Sequence, residues 1–292
     1  MEYILLFMSV CVSVLYSSFS NVFSKKMMKN SSDFFLFNAS VSLVGALVFL
    51  VLTIRDGNVS LFTFLFGIAF MAITFLSIFS NIQALKHGSM ACTVMFGSCG
   101  MLIPAIAGVI FWKEDISILQ IIAAFIIAIS FVIGADLKHM EKVTLKWFGF
   151  AFALFIFAGL TGILQKMHQS SQHSDERFFM LFVAFINMSV VSYLIYLKSR
   201  KKDKEYINYL KITPAKAAVV SIVTGLCLSF VHPVNLYLSG VLPGIFFFPI
   251  INGSSTVLSG IVSVVVMKEK LKREQAISFI VGIIGIVLLS IG

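Results

Sequence analysis

The sequence predicts an all-α polytopic membrane protein, with ten transmembrane helices arranged as two inverted five-helix repeats. Three observations lead to this prediction: the composition, the spacing of the apolar runs, and a charged turn that occurs twice. Of the 292 residues, 59% are hydrophobic and 12% are charged, and the mean hydropathy is +1.00. A soluble domain has about a quarter of its residues charged. The composition therefore favours a membrane protein.

Apolar stretches of roughly 20 residues, the length that crosses a bilayer as a helix, alternate with short polar segments. The predicted spans are 3–23, 34–54, 61–84, 90–112, 117–135, 147–166, 178–197, 216–239, 244–267 and 275–291. Helices are expected because hydrocarbon offers the backbone no hydrogen-bond partners. The amino terminus, MEYILLFMSV, lacks the basic segment of a cleavable signal, so the first span is expected to stay in the mature protein.

The formal net charge of +9 raises the question of a nucleic-acid partner. The basic residues instead flank the spans, so the predicted partner is the lipid bilayer. Of the 22 Lys and Arg residues, 18 follow the odd-numbered spans, and the other face holds Arg55, Lys113, Lys166 and Arg177. Because cytoplasmic loops carry the excess of Lys and Arg, this bias taken alone places both termini outside. The predicted location is a bacterial cytoplasmic membrane.

Cysteine usage excludes two further classes. The four cysteines lie within apolar segments and show no CxxC spacing: Cys11, Cys92, Cys99 and Cys227. This pattern is too sparse for a disulfide framework or a zinc site. We therefore expect neither a metal nor a cofactor.

A charged turn occurs twice, 155 residues apart. VIFWKEDISILQ stands at 109–120 and VVVMKEKLKREQ at 264–275. The polar matches are Lys113 with Lys268, Glu114 with Glu269 and Gln120 with Gln275. Apolar matches are common by chance in membrane sequences, so these polar matches carry more weight.

Small residues spaced four apart support the repeat. They are Gly100, Pro104 and Gly108 in the first copy, and Ser255, Ser259 and Ser263 in the second. Such spacing lets two helices approach closely. The repeats are predicted at 1–137 and 138–292. Because five is an odd number of spans, the second copy enters the membrane from the opposite side. Inverted repeats of this kind are typical of secondary transporters.

The end of each repeat carries a family resemblance. WKEDISILQIIAAFIIAISFVIG and MKEKLKREQAISFIVGIIGIVLLSIG resemble the ends of EamA repeats in the drug/metabolite transporter superfamily. The resemblance implies an exporter or exchanger of amino acids, other metabolites or drugs that works by alternating access around a central cavity. It also implies cytoplasmic termini, as described for many members, whereas the charge bias favours the opposite orientation.

The predicted function is secondary transport of a small amphipathic, amino-acid-like metabolite by alternating access, with export as the expected direction. Multidrug efflux of aromatic or cationic compounds is the alternative. A channel or a non-transporting membrane protein is the alternative from another class. An enzyme would need carboxylates, paired histidines or a nucleophile–base set near the membrane face, and the sequence has no such set. The protein is expected to act as a monomer or a homodimer.

The candidate substrate-binding residues are polar or aromatic side chains within the spans. The strongest cluster is LSFVHPVNLYLSG in the eighth span, with Ser229, His232 and Asn235. A histidine there could hydrogen-bond a solute or carry a proton; it could also be a structural histidine beside the kink at Pro233. The other candidates are Asn21, Ser77, Asn81, Gln165, Phe248 and Asn252. For the polar members, hydrogen bonding between helices is the competing interpretation.

Charged residues limit the choice of solute. The acidic residues, Glu114 and Glu269 included, fall in loops or at helix ends, so no embedded carboxylate is predicted to neutralise a cation. A neutral, zwitterionic or amphipathic solute is therefore favoured. Lys25 and Lys166 occupy equivalent helix ends in the two repeats. We expect them to extend to the membrane surface, and binding of an anionic group is the alternative.

Overall fold

The structure is a computed structural model that describes residues 1–26, 31–87, 90–134, 144–200, 214–265 and 273–291. The described residues form eleven α-helices and one short 3-10 turn, Ser174–Glu176. The helices are α1 (Glu2–Lys26), α2 (Ser31–Asp56), α3 (Leu61–His87), α4 (Met90–Cys99), α5 (Leu102–Trp112), α6 (Ile118–Gly134), α7 (Leu145–Gln169), α8 (Arg177–Arg200), α9 (Pro214–Val241), α10 (Gly244–Val265) and α11 (Arg273–Ile291).

The all-α polytopic prediction is confirmed. Within the described ranges, nine helical stretches are long and apolar enough to cross a membrane, and α6 is a shorter apolar helix of 17 residues. The observed helices agree with the predicted spans to within a few residues at most ends. One predicted span, 90–112, is divided into α4 and α5.

The division between α4 and α5 has a local cause. Pro104 has no N–H to donate to the carbonyl four residues earlier, which belongs to Gly100. The chain instead tightens, so that Gly100 N donates to Gly97 O at 3.2 Å and Ile103 N donates to Gly100 O at 3.1 Å. The candidate membrane span Cys92–Trp112 continues across this point.

Polar side chains mark where several helices begin. Thr144 accepts a hydrogen bond from Trp147 N at 3.2 Å and caps α7. Before α6, Gln120 N donates to Ser117 Oγ at 3.1 Å and Ser117 N donates to Gln120 Oε1 at 3.2 Å. This reciprocal arrangement is a capping box. Gln120 is one of the polar residues shared by the two charged turns. In the first turn its side chain caps the start of α6.

The chain divides into two compact units. Unit 1 comprises Met1–Leu6, Ala72–Ser171 and Leu236–Gly292, and unit 2 comprises Phe7–Met71 and Gln172–Asn235. The boundaries fall inside α1, α3 and α9. The predicted repeats at 1–137 and 138–292 are a different division, based on sequence similarity, and they stay a prediction.

Unit 1 is built on close helix pairs. In one pair, α6 lies against α11, where Ser278 Oγ donates to Ser130 O at 2.7 Å. In another, α5 lies against both α10 and α7. A Cβ on Gly100 would lie 2.9 Å from Ala158 Cβ, and one on Gly162 would lie 2.8 Å from Pro104 Cγ. The small residues at 100 and 104 therefore permit the close approach expected from their spacing.

Unit 2 is centred on α2 and α8. Phe49 and Phe185 meet edge to face with their centroids 5.3 Å apart, and both are buried. Asn38 Nδ2 donates to Ser192 Oγ at 2.8 Å across the same pair. The pairs α2–α8, α5–α10 and α6–α11 each join one helix from each predicted repeat.

Candidate functional site

The candidate residues of the eighth span lie on α9 in unit 2. The ring of His232 meets Phe185 edge to face at 4.9 Å between centroids, and Phe70 at 6.4 Å. Its side chain is half-buried. Among the described residues, none is found to hydrogen-bond the imidazole. A polar ring within a predicted membrane span is thus bordered by two phenylalanines.

Asn235 lies one turn after His232 and has a defined orientation. Ser9 Oγ of α1 donates to Asn235 Oδ1 at 2.5 Å. Because this bond occupies the carbonyl end of the amide, the other end presents the two N–H donors of Nδ2. We call His232, Asn235, Ser9, Phe70 and Phe185 the His232 cluster.

Ser229 is buried and differs from its two neighbours. Its Oγ donates to Gly225 O at 2.8 Å, one turn earlier in the same helix. This internal bond satisfies the hydroxyl proton within α9. Asn21 belongs to α1, and its side chain lies outside the described part of the structure.

The remaining candidates lie in unit 1. Ser77 and Asn81 are half-buried on α3, and Gln165 is half-buried on α7. On α10, Phe248 is buried, and exposed Asn252 donates from Nδ2 to Phe248 O at 2.8 Å. A Cβ on Gly162 would lie 2.9 Å from Phe248 Cε1, so Phe248 packs directly on α7.

A polar face follows Phe248 along α10. Phe248, Asn252, Ser255 and Ser259 are separated by four, three and four residues, so they share one side of the helix. The hydroxyl oxygens of Ser255 and Ser259 are buried, and no hydrogen-bond partner is found for them among the described residues. The opposite side carries Gly253 and Val257, which face α6 and α11.

Sequence reasoning missed a charged cluster in unit 1. Lys166, near the end of α7, forms an ion pair with Glu114, from the turn after α5. The lysine side chain is 4% exposed and the glutamate side chain 13%. Lys166 Nζ also donates to Ser239 O and to Leu242 O, each at 3.3 Å. The expectation that Lys166 extends to the membrane surface is wrong, because its ammonium is already satisfied inside the protein.

Glu114 binds a second element through its other oxygen. Gly244 N, at the start of α10, donates to Glu114 Oε2 at 2.7 Å. Lys166 Nζ also lies 5.7 Å from the centre of the Trp112 ring. We call Lys166, Glu114, Trp112 and their backbone partners at 239, 242 and 244 the Lys166–Glu114 cluster.

Local backbone structure directs Glu114 into this cluster. Lys113 ends α5 in the left-handed conformation, with φ 51° and ψ 41°. Residues other than glycine and asparagine rarely adopt this backbone conformation. The reversed chain brings the Glu114 carboxylate against Gly108, where a Cβ would collide with Oε2. Gly108 thereby leaves the space that the carboxylate occupies.

The sequence feature that points to this cluster is the repeated charged turn, which contains Glu114. Its equivalents in the second repeat, Lys268 and Glu269, and the side chain of Lys25 lie outside the described residues. Within the described ranges, no group of three or more His, Cys, Asp or Glu side chains could hold a metal ion.

Comparison with known proteins supports the sequence resemblance. Residues 4–134 match the model of the EamA-like transporter family. No curated protein matches the chain. A solved structure described as the crystal structure of a protein is similar over 99% of this chain and 97% of that chain, with 11% identity and a TM-score of 0.72. At this identity the structural similarity shows the fold alone.

The family match confirms the resemblance noted in the charged turn and extends it back to the first span. The matched family is a family of transporters rather than of enzymes. The chain is therefore an all-α polytopic membrane protein whose residues 4–134 form a domain of the EamA-like transporter family, within the drug/metabolite transporter superfamily, which implies a membrane transporter.

Proposed function

We propose that the protein is a secondary transporter that moves a small amphipathic metabolite, such as an amino acid, across the cell membrane by alternating access. Export is the proposed direction. The observation that carries the proposal is the His232 cluster. An imidazole and an amide are presented within a membrane span beside two phenylalanine rings.

The cost of burying polar groups supports a functional role for this cluster. An intramembrane polar group costs several kcal/mol when it is unpaired, so such groups usually face a cavity or a partner. His232 is half-buried within α9, and no hydrogen-bond partner is found for it among the described residues. A solute that supplies hydrogen bonds would remove that cost.

The chemistry of the cluster favours an amphipathic solute. Aromatic walls with a few polar groups suit a ligand with an apolar body and a polar head. Asn235 offers N–H donors, and a neutral imidazole offers one donor and one acceptor. The acidic residues of the described helices lie at helix ends, so a permanent cation would find no carboxylate beside the cluster. A neutral or zwitterionic solute fits better.

The pairing of repeat-equivalent helices supports alternating access. The helices α2 and α8 pack together, as do α5 with α10 and α6 with α11. In transporters with inverted repeats, the two copies exchange conformations, and this exchange moves access from one side of the membrane to the other.

The first experiment is thermal stabilisation of the purified protein across amino acids, choline-like compounds and cationic dyes. A ligand present at about 100 times its Kd adds roughly 2.7 kcal/mol to the stability of the folded state. A response confined to one metabolite family supports the proposal. A broad response to unrelated aromatic cations would favour multidrug efflux. No response to any compound would count against transport of these classes.

The second experiment measures counterflow of the stabilising solute in proteoliposomes. His232→Ala should lower the rate while the protein keeps its yield and melting temperature. His87→Ala is the matched control, because His87 is exposed at the end of α3 and stacks on Phe150 at 6.1 Å. Wild-type transport by a folded His232→Ala variant would remove His232 from the site.

A further inference from the structure

We infer that Glu114 and Lys166 are positioning residues for solute binding: their ion pair holds the first turn of α10 against α7 and thereby places Phe248 and Asn252. This inference rests on the proposed function in one respect: it takes Phe248 and Asn252, two of the substrate-binding residues predicted from the sequence, as contacts of the transported solute. The pair itself is within unit 1, and the role inferred for it is positional.

Lys166 holds the end of α9. A lysine ammonium has three N–H donors, and here they meet three acceptors: a Glu114 carboxylate oxygen, Ser239 O and Leu242 O. The last carbonyls of a helix have no partner within the helix and form the negative end of its dipole. Lys166 therefore donates hydrogen bonds to two carbonyls at the end of α9, and its positive charge lies at the negative end of the helix dipole.

Glu114 holds the start of α10. The first N–H groups of a helix lack internal partners and form the positive end of its dipole. Gly244 N donates to Glu114 Oε2 at 2.7 Å. One ion pair thus binds both sides of the short turn between α9 and α10, with each charge on the helix end of opposite sign.

The turn cannot shift without breaking these bonds. It consists of Leu242 and Pro243, and Phe247 N donates to Pro243 O at 2.9 Å as α10 begins. A Cβ on Gly244 would lie 3.1 Å from Pro104 O and 3.3 Å from Glu114 Oε2, so the backbone is already tightly enclosed. The position of residue 244 is therefore set by α5 and by the ion pair together.

Two of the predicted site residues, Phe248 and Asn252, lie one and two turns beyond Gly244 on α10. Phe248 is four residues after Gly244, and its contact Gly162 is four residues before Lys166. One helical turn is about 5.4 Å, so the ion pair and the Phe248–Gly162 contact are neighbouring levels of one interface. Asn252 occupies the next turn and donates to Phe248 O. A rotation or translation of α10 at residue 244 would move both side chains.

The energetics of buried ion pairs favour a positional role. Removing two charges from water costs so much that a buried pair is often no more stabilising than well-packed apolar residues. A buried ion pair instead requires that its two charged groups and their hydrogen-bond partners keep one specific arrangement. Here that arrangement links α5, α7, α9 and α10.

A cysteine reporter tests whether the pair holds α10. Ile245 lies in the first turn of α10, is 6% exposed and packs against Ala105 and Ala124. In a variant with the four native cysteines replaced by alanine, Ile245→Cys should react slowly with N-ethylmaleimide. Adding Glu114→Gln or Lys166→Met should raise the rate by roughly tenfold, since opening of local structure controls access.

The control reporter is Ser278→Cys, a near-isosteric change at the α6–α11 contact. Its labelling rate should not change in either charge variant. An unchanged rate at the Ile245→Cys reporter, or an equal rise at both reporters, would overturn the inference, because the pair would then hold nothing or would stabilise the whole unit. If Lys166→Met does not fold, Glu114→Gln and the double variant Glu114→Gln/Lys166→Met carry the test.

Kinetics distinguish positioning from plain stability. With radiolabelled phenylalanine as the probe in proteoliposomes, Glu114→Gln should raise KM by roughly tenfold and leave kcat within about twofold, which indicates lost binding. Lys166→Arg keeps the positive charge, so it should raise KM less than Lys166→Met does. A fall in kcat at unchanged KM would overturn the inference. If the wild-type protein does not move phenylalanine, phenylalanine is not its solute, and the labelling experiment still decides the role of the pair.

Discussion

Lys166 and His173 lie seven residues apart along the chain, and each pairs with a glutamate in different surroundings. Lys166 and Glu114, in unit 1, are 4% and 13% exposed. His173 and Glu176, in unit 2, are 38% and 8% exposed, with 3.0 Å between His173 Nδ1 and Glu176 Oε1. The first pair joins charges from distant parts of the chain, and the second joins residues three apart. Burial and sequence separation therefore decide how much of the fold depends on each pair.

The second pair belongs to its own polar network. Ser60 Oγ donates to Glu176 Oε2 at 2.5 Å and caps the start of α3 by accepting from Thr63 N at 3.2 Å. His173 also stacks on Phe62, with ring centres 5.0 Å apart. The network joins the α2–α3 loop to the 3-10 turn before α8. It holds loops, whereas the Lys166–Glu114 cluster holds helix ends.

The largest effect is expected from Gly108→Ala, which would test the buried pair without changing a charge. The added Cβ would displace the Glu114 carboxylate and leave Lys166 without its anion, so the free energy of unfolding should fall by about 3 kcal/mol. Thermal denaturation in detergent measures the loss. Gly149→Ala is the control, since nothing lies within 4 Å of a Cβ there, and it should stabilise α7 slightly.

Glu176→Gln should have the next largest effect. The carboxylate accepts from Ser60 and pairs with His173, and the free energy of unfolding should fall by about 2 kcal/mol, as for the loss of one hydrogen bond to a charged group. Asp175→Asn is the control: this neighbour is exposed and bonds Asn58 Nδ2 at 2.8 Å. Thermal denaturation measures the stability of both variants. Equal losses of stability would show that the burial of Glu176 does not strengthen its contacts.

His173→Ala should cost less than about 1 kcal/mol, because solvent weakens the contact of a side chain that is 38% exposed. His173→Phe separates the two contributions of this side chain, since it keeps the ring stacking on Phe62 and removes the bond to Glu176. A loss from His173→Ala as large as that from Glu176→Gln would contradict the comparison. Denaturation curves recorded side by side provide the measurement.

The smallest effect is expected at the exposed pair of Arg55 and Asp56. Arg55 Nε lies 3.2 Å from Asp56 Oδ1, and the side chains are 71% and 31% exposed. Asp56→Asn should change the free energy of unfolding by less than about 0.5 kcal/mol. A larger change would mean that charge at the α2 end acts through something other than this pair.

Much of the fold could be predicted from the sequence because membrane spans follow from local composition. The apolar runs predicted nearly every helix, and the four-residue spacing of Gly100 and Pro104 predicted a close helix contact. The division at Gly100 was missed, although Pro104 signals it. A proline near a helix start is tolerated, so its presence alone did not distinguish a continuous helix from two.

The Lys166–Glu114 cluster could be predicted only in part. The repeat singled out Glu114 and Lys166 separately, yet they are 52 residues apart in sequence, and nothing local joins them. The other acceptors of Lys166 are backbone carbonyls, and every residue has one, so the sequence carries no sign of them. The role of the His232 cluster in solute binding stays a prediction.

The two tryptophans make unit 1 optically visible. Trp112 lies beside the Lys166 ammonium at 5.7 Å, and Trp147 is buried with its Nε1–H donating to Thr93 Oγ1 at 3.0 Å. Both belong to unit 1, and the chain has no others. Intrinsic tryptophan emission therefore reports on unit 1 alone. With Trp147→Phe, the remaining signal comes from the Lys166–Glu114 cluster, so the native chain already contains a fluorescent probe of the pair that places α10.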